Sequence, residues 1–185
     1  VPKEMLPIID LPVIHYSVAQ AVEAGVDKII IVTSSGKAAL EDYFDFSNEH
    51  ETPVNSHTYP RLQEIKNISN RANIITVRQS APLGLGHAVL TAKQAVGVEP
   101  FIVYLPDEIL IGTPSVTLQL LDAYKRLGNA IGVIEVPWKE VSRYGIVEGE
   151  RISTRDTKLI RCIEKPEQNN APTNLAFVGP YIFSP

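Results

Sequence analysis

Cysteine occurs once in the 185 residues, at Cys162. That excludes an internal disulfide and fits a reducing, cytoplasmic compartment. Positive charge is in deficit: 17 Lys and Arg against 21 Asp and Glu leave a net charge of −4. Aromatic residues make up only 7%, and none interleaves with a basic patch, so nucleic acid is not an expected partner. Any anionic ligand must be held by local cations. Long hydrophobic runs are missing too. The longest purely aliphatic stretch, Ile29 to Val32, is far below the roughly 20 residues that cross a bilayer. No charged-then-apolar leader opens the chain, and no membrane association is expected. His15, His50, His57 and His87 lack zinc-ligand spacing, and neither a Gly-x-Ser-x-Gly elbow nor a Walker A loop is present.

What is present is alternation. Val13 to Ala24 carries a helical stripe at Ile14, Val18, Ala21 and Val22, and Gly25 stops it. His15 falls on that helix's flank. Lys28 to Thr33 is a β-branched run, as in a strand buried on both faces. Ser34 or Ser35 is placed to cap a helix reaching about Phe44. Asn73 to Arg78 reads as a strand, Gly84 to Val96 as a turn and helix ended by Gly97, and Phe101 to Leu105 as a strand. Thr113-Pro114 reads as an N-cap and first helical residue, with a stop at Gly128. Ala130 to Val136, Leu159 to Ile163 and Leu175 to Phe183 complete the strand-like runs. Cys162, inside one of them, reads as a buried, inert residue. Short connections between strands and helices predict an α/β fold with a mostly parallel sheet flanked by helices. The polar stretch 46–71 is expected as an insertion, with a short helix from Pro60 to Ile68.

Parallel sheets bind ligands beyond the carboxyl ends of their strands, so residues there are the candidates. Leu83-Gly84-Leu85-Gly86-His87-Ala88 lies between a strand and a helix. Its glycines allow close backbone approach to a ligand, and an ordinary tight turn accounts for them equally. Asp107 follows the run Phe101 to Pro106, where a carboxylate is placed to hold a hard cation such as Mg²⁺ or simply to close a turn. Lys3 and Glu4 stand between Pro2 and Pro7. A lysine there serves as a point charge for phosphate, or both charges are merely solvated. Glu164 and Lys165 directly follow a strand and suit sugar hydroxyls and phosphate, or a surface salt bridge. Tyr144-Gly145-Ile146-Val147 is a turn into a short strand.

In order and spacing these pieces resemble the bacterial UTP–glucose-1-phosphate uridylyltransferases. The matching segments are Pro2-Lys3-Glu4-Met5-Leu6-Pro7, Leu40 to Asp45, Val77-Arg78-Gln79, Leu83 to Val89 and Leu105-Pro106-Asp107. They continue through Arg143 to Val147, Glu164-Lys165-Pro166 and Ala171 to Gly179. The resemblance implies a Rossmann-like sheet of the nucleotide-diphospho-sugar transferase type, with 1–185 as one nucleotidyltransferase domain, incomplete at both ends. It implies that UTP and glucose 1-phosphate give UDP-glucose and pyrophosphate with Mg²⁺. It also implies roles. Lys3 faces the triphosphate; Glu4, Gln79 and Gly84 surround the uracil; Asp107 holds the metal. Gly145 and Glu164 contact the glucose, and Lys165 neutralises phosphate. A homodimer or homotetramer is implied as well. The thymidylyl branch usually reads Lys-Gln-Leu where Lys3-Glu4-Met5 stands, which favours the uridylyl branch over thymidylyl or cytidylyl transfer. A non-catalytic nucleotide-sugar-binding homologue is the reading from another class. The family's Gly-x-Gly-Thr-Arg phosphate loop would precede Val1, so the 185 residues alone are expected to be inactive. Glu108 and Pro180 depart from the family's usual residues, the latter from an arginine.

Overall fold

The computed structural model describes residues 2–45 and 60–185. The part of the expected insertion up to residue 59 lies outside them. By internal contacts the chain forms two compact units. The first comprises Val1–Phe101, Leu105–Leu118 and Ser184–Pro185, the second Ile102–Tyr104 and Gln119–Phe183.

In the first unit a 3-10 turn, Lys3–Met5, leads into two short antiparallel strands, β1 (Pro7–Ile8) and β2 (Leu11–Pro12). Helix α1 (Val13–Glu23) follows and buries the expected stripe. Strand β3 (Lys28–Thr33) pairs in parallel with β4 (Asn73–Arg78), Lys28 opposite Asn73 and Thr33 opposite Arg78. Between them run α2 (Ala38–Phe44) and α3 (Pro60–Arg71). Ile14 and Val18 of α1 pack with Leu40 and Phe44 of α2 and with Ile65 and Ile68 of α3. The i, i+3 pair Ile65 and Ile68 shares one helix face, so α3 is a wall of the core and outruns the expected short helix by three residues. After β4 come α4 (Leu85–Thr91) and α5 (Lys93–Val96), which divide the single helix expected there.

Three local expectations are corrected. Neither Ser34 nor Ser35 caps α2: the Lys37 N–H donates to the Ser34 carbonyl (3.3 Å), closing a turn before the helix begins. Of β3, only Ile31 and Thr33 are buried; the remaining residues are half-buried. His15 is not on a flank but 1% exposed. Its ring is held between the Tyr43 hydroxyl (3.1 Å at Nδ1) and Glu64 Oε1 (3.3 Å at Nε2). With the proton on Nε2, the ring donates to Glu64 and accepts from Tyr43, which satisfies both nitrogens. Burial, helped by the charge of Glu64, pushes the Tyr43 phenol up to about 12. A raised folded-state pKa means stability present below the ordinary phenol value of 10.0 and lost as pH climbs through about 12. Thermal melts between pH 9 and 12 are therefore expected to fall less steeply for Tyr43→Phe than for wild type.

The second unit holds most of α6 (Val116–Leu127) and a five-stranded sheet. Its strands are β5 (Phe101–Val103), β6 (Ala130–Glu135), β7 (Gly145–Arg151), β8 (Thr157–Glu164) and β9 (Leu175–Phe183). The order is β5-β9-β7-β8, with β6 also on β9. The α/β class and the parallel β3–β4 pair agree with expectation, while β6–β9, β7–β8 and β7–β9 run antiparallel. Helix α6 begins after Pro114, not at it. Ser115 is its cap, its Oγ accepting from the Leu118 N–H at 3.4 Å. Pro180 lies within β9 without interrupting it. The register jumps from Ile131 opposite Tyr181 to Gly132 opposite Val178, so Gly179 and Pro180 bulge out of the ladder, where a missing N–H is tolerated. Cys162, expected buried, is exposed on β8, the sheet's edge strand. The cover it does have pushes its thiol up.

Candidate functional site

In the first unit the candidate residues gather at the carboxyl ends of the parallel strands and in the turns around them. The Gln79 N–H, just past β4, donates to the carbonyl of Thr33, the last residue of β3 (2.8 Å). This bond fixes Gln79 level with the end of the pair. Its side-chain Nε2 donates to the Gly84 carbonyl (3.3 Å) and approaches His87 Nδ1 (2.8 Å). Gly84 has φ +93° and ψ −178°, a backbone state essentially reserved for glycine that costs a residue with a side chain about 1–3 kcal/mol. Its carbonyl also accepts the Ala88 N–H (3.1 Å), which opens α4. Gln79, Gly84 and His87 thus form one hydrogen-bonded turn. Gln79 and Gly84 were legible candidates; His87 enters through its ring nitrogen, which the histidine spacing could not reveal.

The second group is charged. Lys3 Nζ lies 2.6 Å from Asp107 Oδ2, joining residues 104 positions apart. Asp107 occupies a turn closed by the Glu108 N–H on the Leu105 carbonyl (3.0 Å). The bond to Lys3 holds the Asp107 carboxyl below its usual range, and the reciprocal bond raises the Lys3 ammonium. Both therefore stay charged at neutral pH. Glu4, read from sequence as a base contact, is buried. Its Oε1 accepts from Lys37 Nζ (2.6 Å), while its Oε2 is buried without a hydrogen-bond partner. Burial pushes the Glu4 carboxyl up, but Lys37 and the nearby charge of Lys3 outweigh it and hold the group ionised. Lys37 carried no motif signal. It is found only by asking which cation accompanies a buried carboxylate.

In the second unit Gly145 opens β7 opposite Glu164 at the end of β8. Lys165 follows with φ +44°, an unusual state for a side-chain-bearing residue, more so before a proline. Its N–H donates to the Tyr144 carbonyl (3.0 Å), tying it to the residue before Gly145. Strain of this kind collects where a side chain must be aimed. Lys165 Nζ and Glu164 Oε1 lie 3.6 Å apart, and both side chains are about two-thirds exposed. Such a loose pair is worth little to stability and leaves both groups open to a ligand.

The chain is similar to known proteins. The family model described as nucleotidyl transferase matches residues 1–185. A UTP–glucose-1-phosphate uridylyltransferase of Bacillus subtilis strain 168 is 45% identical over the whole chain, which spans 64% of that relative's length. One from Staphylococcus epidermidis is 44% identical, with 65% of its length covered. Among solved structures, an apo UDP-glucose pyrophosphorylase superposes with TM-score 0.91 at 41% identity, covering the whole chain and 69% of that structure. A UDP-glucose pyrophosphorylase complexed with UDP-glucose gives 0.91 at 40% identity, again with the whole chain and 69% of that structure covered. A UTP-bound enzyme from Acinetobacter baumannii gives 0.87 at 40%, with 67% of it covered by the whole chain. Sequence and fold thus agree, and the chain belongs to the nucleotidyl transferase family.

Proposed function

We propose that the protein is a UTP–glucose-1-phosphate uridylyltransferase. A phosphate oxygen of glucose 1-phosphate attacks the α-phosphorus of UTP in line. The bond to the β-phosphate bridging oxygen breaks, and UDP-glucose and pyrophosphate leave. The observation that carries this reading is the Lys3–Asp107 pair at 2.6 Å. It couples a cation suited to phosphate with a carboxylate suited to a hard cation. The solved relatives bound to UTP and to UDP-glucose support the same substrates for this chain.

In this reading the protein supplies position and charge rather than a covalent intermediate. Lys3 turns from Asp107 to the triphosphate. The Gln79–Gly84 turn meets the edge of the uracil, and Glu4 stays behind it as a buried charge. The residues fit Mg²⁺: Asp107 is ionised and half-exposed, and magnesium is commonly held by one or two carboxylates with phosphate oxygens and water. Among the described residues no cluster of three or more metal-binding side chains occurs, so Asp107 is the protein ligand we assign. When bound, the ion neutralises phosphate charge. On the second unit, Gly145 and Glu164 are assigned to the glucose hydroxyls and Lys165 to the sugar phosphate. A cytoplasmic location and a homodimer or homotetramer belong to the same proposal; no helix among the described residues is long and apolar enough to cross a membrane.

The test is direct. The protein, in the full length its gene encodes, is incubated with glucose 1-phosphate, Mg²⁺ and UTP, dTTP or CTP in turn, and nucleotide sugar is separated chromatographically. UDP-glucose as the main product is expected. Preference for dTTP or CTP would reassign the base, and binding of UDP-glucose with no turnover would favour a non-catalytic relative. Lys165→Met is expected to raise KM for glucose 1-phosphate about 10- to 100-fold, the loss of one charge-assisted contact, and KM for UTP less than threefold. Equal effects on both would remove Lys165 from the sugar phosphate.

A further inference from the structure

Four charged side chains of the first unit are linked in two pairs. Lys3 bonds Asp107, and its neighbour Glu4 bonds Lys37, each at 2.6 Å. The pairs differ in their surroundings. Asp107 and Lys3 are 56% and 61% exposed, whereas the Glu4 side chain is 9% exposed and Lys37 31%. Among the described residues Glu4 Oε2 has no hydrogen-bond partner, and Lys37 Nζ is the one cation bonded to this carboxylate, which is nine-tenths buried. A buried carboxylate without a cation is strongly disfavoured and draws any mobile cation within reach. A candidate among the described residues is Lys3, adjacent in sequence, whose charge already acts on Glu4. The Coulomb pull of a buried carboxylate exceeds that of a half-exposed one, because water screens it less.

We propose that Lys37 is a positioning residue: by occupying Glu4 it leaves Lys3 free to sit on Asp107, and so to be delivered to phosphate. The inference rests on the proposed function for the role of Lys3 toward phosphate, but the partner exchange itself does not. Lys37 acts through two features. The turn from Ser34 to Lys37 places it ahead of α2. Its ammonium reaches the buried carboxylate. Without Lys37, Lys3 has two carboxylates competing for it, and the buried one wins.

The test reads Lys3 directly and needs no substrate. Full-chain protein is treated briefly with the N-hydroxysuccinimide ester of acetic acid, and acetylation of each lysine is followed by peptide mass spectrometry, with exposed Lys93 as internal reference. In Lys37→Met, Lys3 withdraws toward Glu4, and its acetylation rate relative to Lys93 is expected to fall at least fivefold. Lys37→Arg restores a cation for Glu4, and Lys37→Met with Glu4→Gln removes the competing carboxylate. Both should bring Lys3 back within twofold of wild type. An unchanged Lys3 rate in Lys37→Met overturns the proposal, as does a double variant as slow as the single one. General loosening of the fold gives the opposite sign, faster acetylation, and also overturns it. In turnover assays on the protein in the full length its gene encodes, the same order is expected for kcat/KM with UTP: reduced about tenfold in Lys37→Met and recovered in Lys37→Arg. If wild-type protein does not use UTP, the proposed function fails while the acetylation result still decides the role of Lys37.

Discussion

Asp107→Asn in the full-length protein is expected to lower Mg²⁺-dependent formation of UDP-glucose by about a hundred- to a thousandfold, the usual range when one electrostatic group of a reaction centre is removed. The melting temperature should hardly move. The Lys3–Asp107 pair is more than half exposed on both sides, and such pairs contribute about 0–1 kcal/mol. Asparagine keeps the shape and one acceptor oxygen but removes the charge that a hard cation requires. The variant also releases Lys3, whose ammonium is now raised by Asp107. KM for UTP should therefore change less than kcat, since Lys3 remains available to phosphate. Titration with Mg²⁺ separates the two contributions: the variant should need a much higher concentration to reach its residual rate. Turnover within threefold of wild type at ordinary Mg²⁺ would take Asp107 out of the site.

The pH dependence follows from the same pair. The Asp107 carboxyl lies below its usual range because Lys3 donates to it. A lowered folded-state pKa gives stability that is present above the ordinary carboxyl value and lost only as pH falls through the lower one. Glu4, also lowered, behaves alike. Both carboxylates therefore stay charged throughout the neutral range.

Periodicity alone located most of the secondary structure. The run Lys28 to Thr33 is β3 and Leu175 to Phe183 is β9, because β-branched and aromatic residues at those spacings suit only a strand. Strand direction was not legible, since alternation of helices and strands does not distinguish the parallel β3–β4 pair from the antiparallel strands of the second unit. Boundaries failed where a turn competed with a cap. Ser34 spends its carbonyl on Lys37, and Ser115 rather than Thr113 caps α6. The candidate residues carried motif signals, but their partners did not. Lys3 and Asp107 are 104 residues apart, and no local pattern records that contact. Lys37, His87 and the buried His15 become meaningful only once the fold shows what faces them.

Gly145→Ala is expected to destabilise the protein by about 1–3 kcal/mol, a cost typical of overpacking, or about 2–4 °C in Tm per kcal/mol for a chain of this size. The reason is steric and specific. A Cβ on Gly145 would lie 2.0 Å from Cε1 and 2.1 Å from Cζ of Phe177 on β9. Strands β7 and β9 are joined one residue away, at Ile146 opposite Ala176. Ile146 and Ala176 are both fully buried, so the backbone there has little room to retreat, and the Phe177 ring must swing aside. Phe177→Leu removes the offending ring atoms and should itself cost about 1 kcal/mol. Combined with Gly145→Ala it should cost less than the two changes summed, by about 1 kcal/mol or more, the signature of residues in contact. This cycle also separates the two readings of Gly145. If the glycine exists only to admit Phe177, the double variant recovers both stability and KM for glucose 1-phosphate. If its backbone also meets the sugar, stability recovers while that KM remains raised.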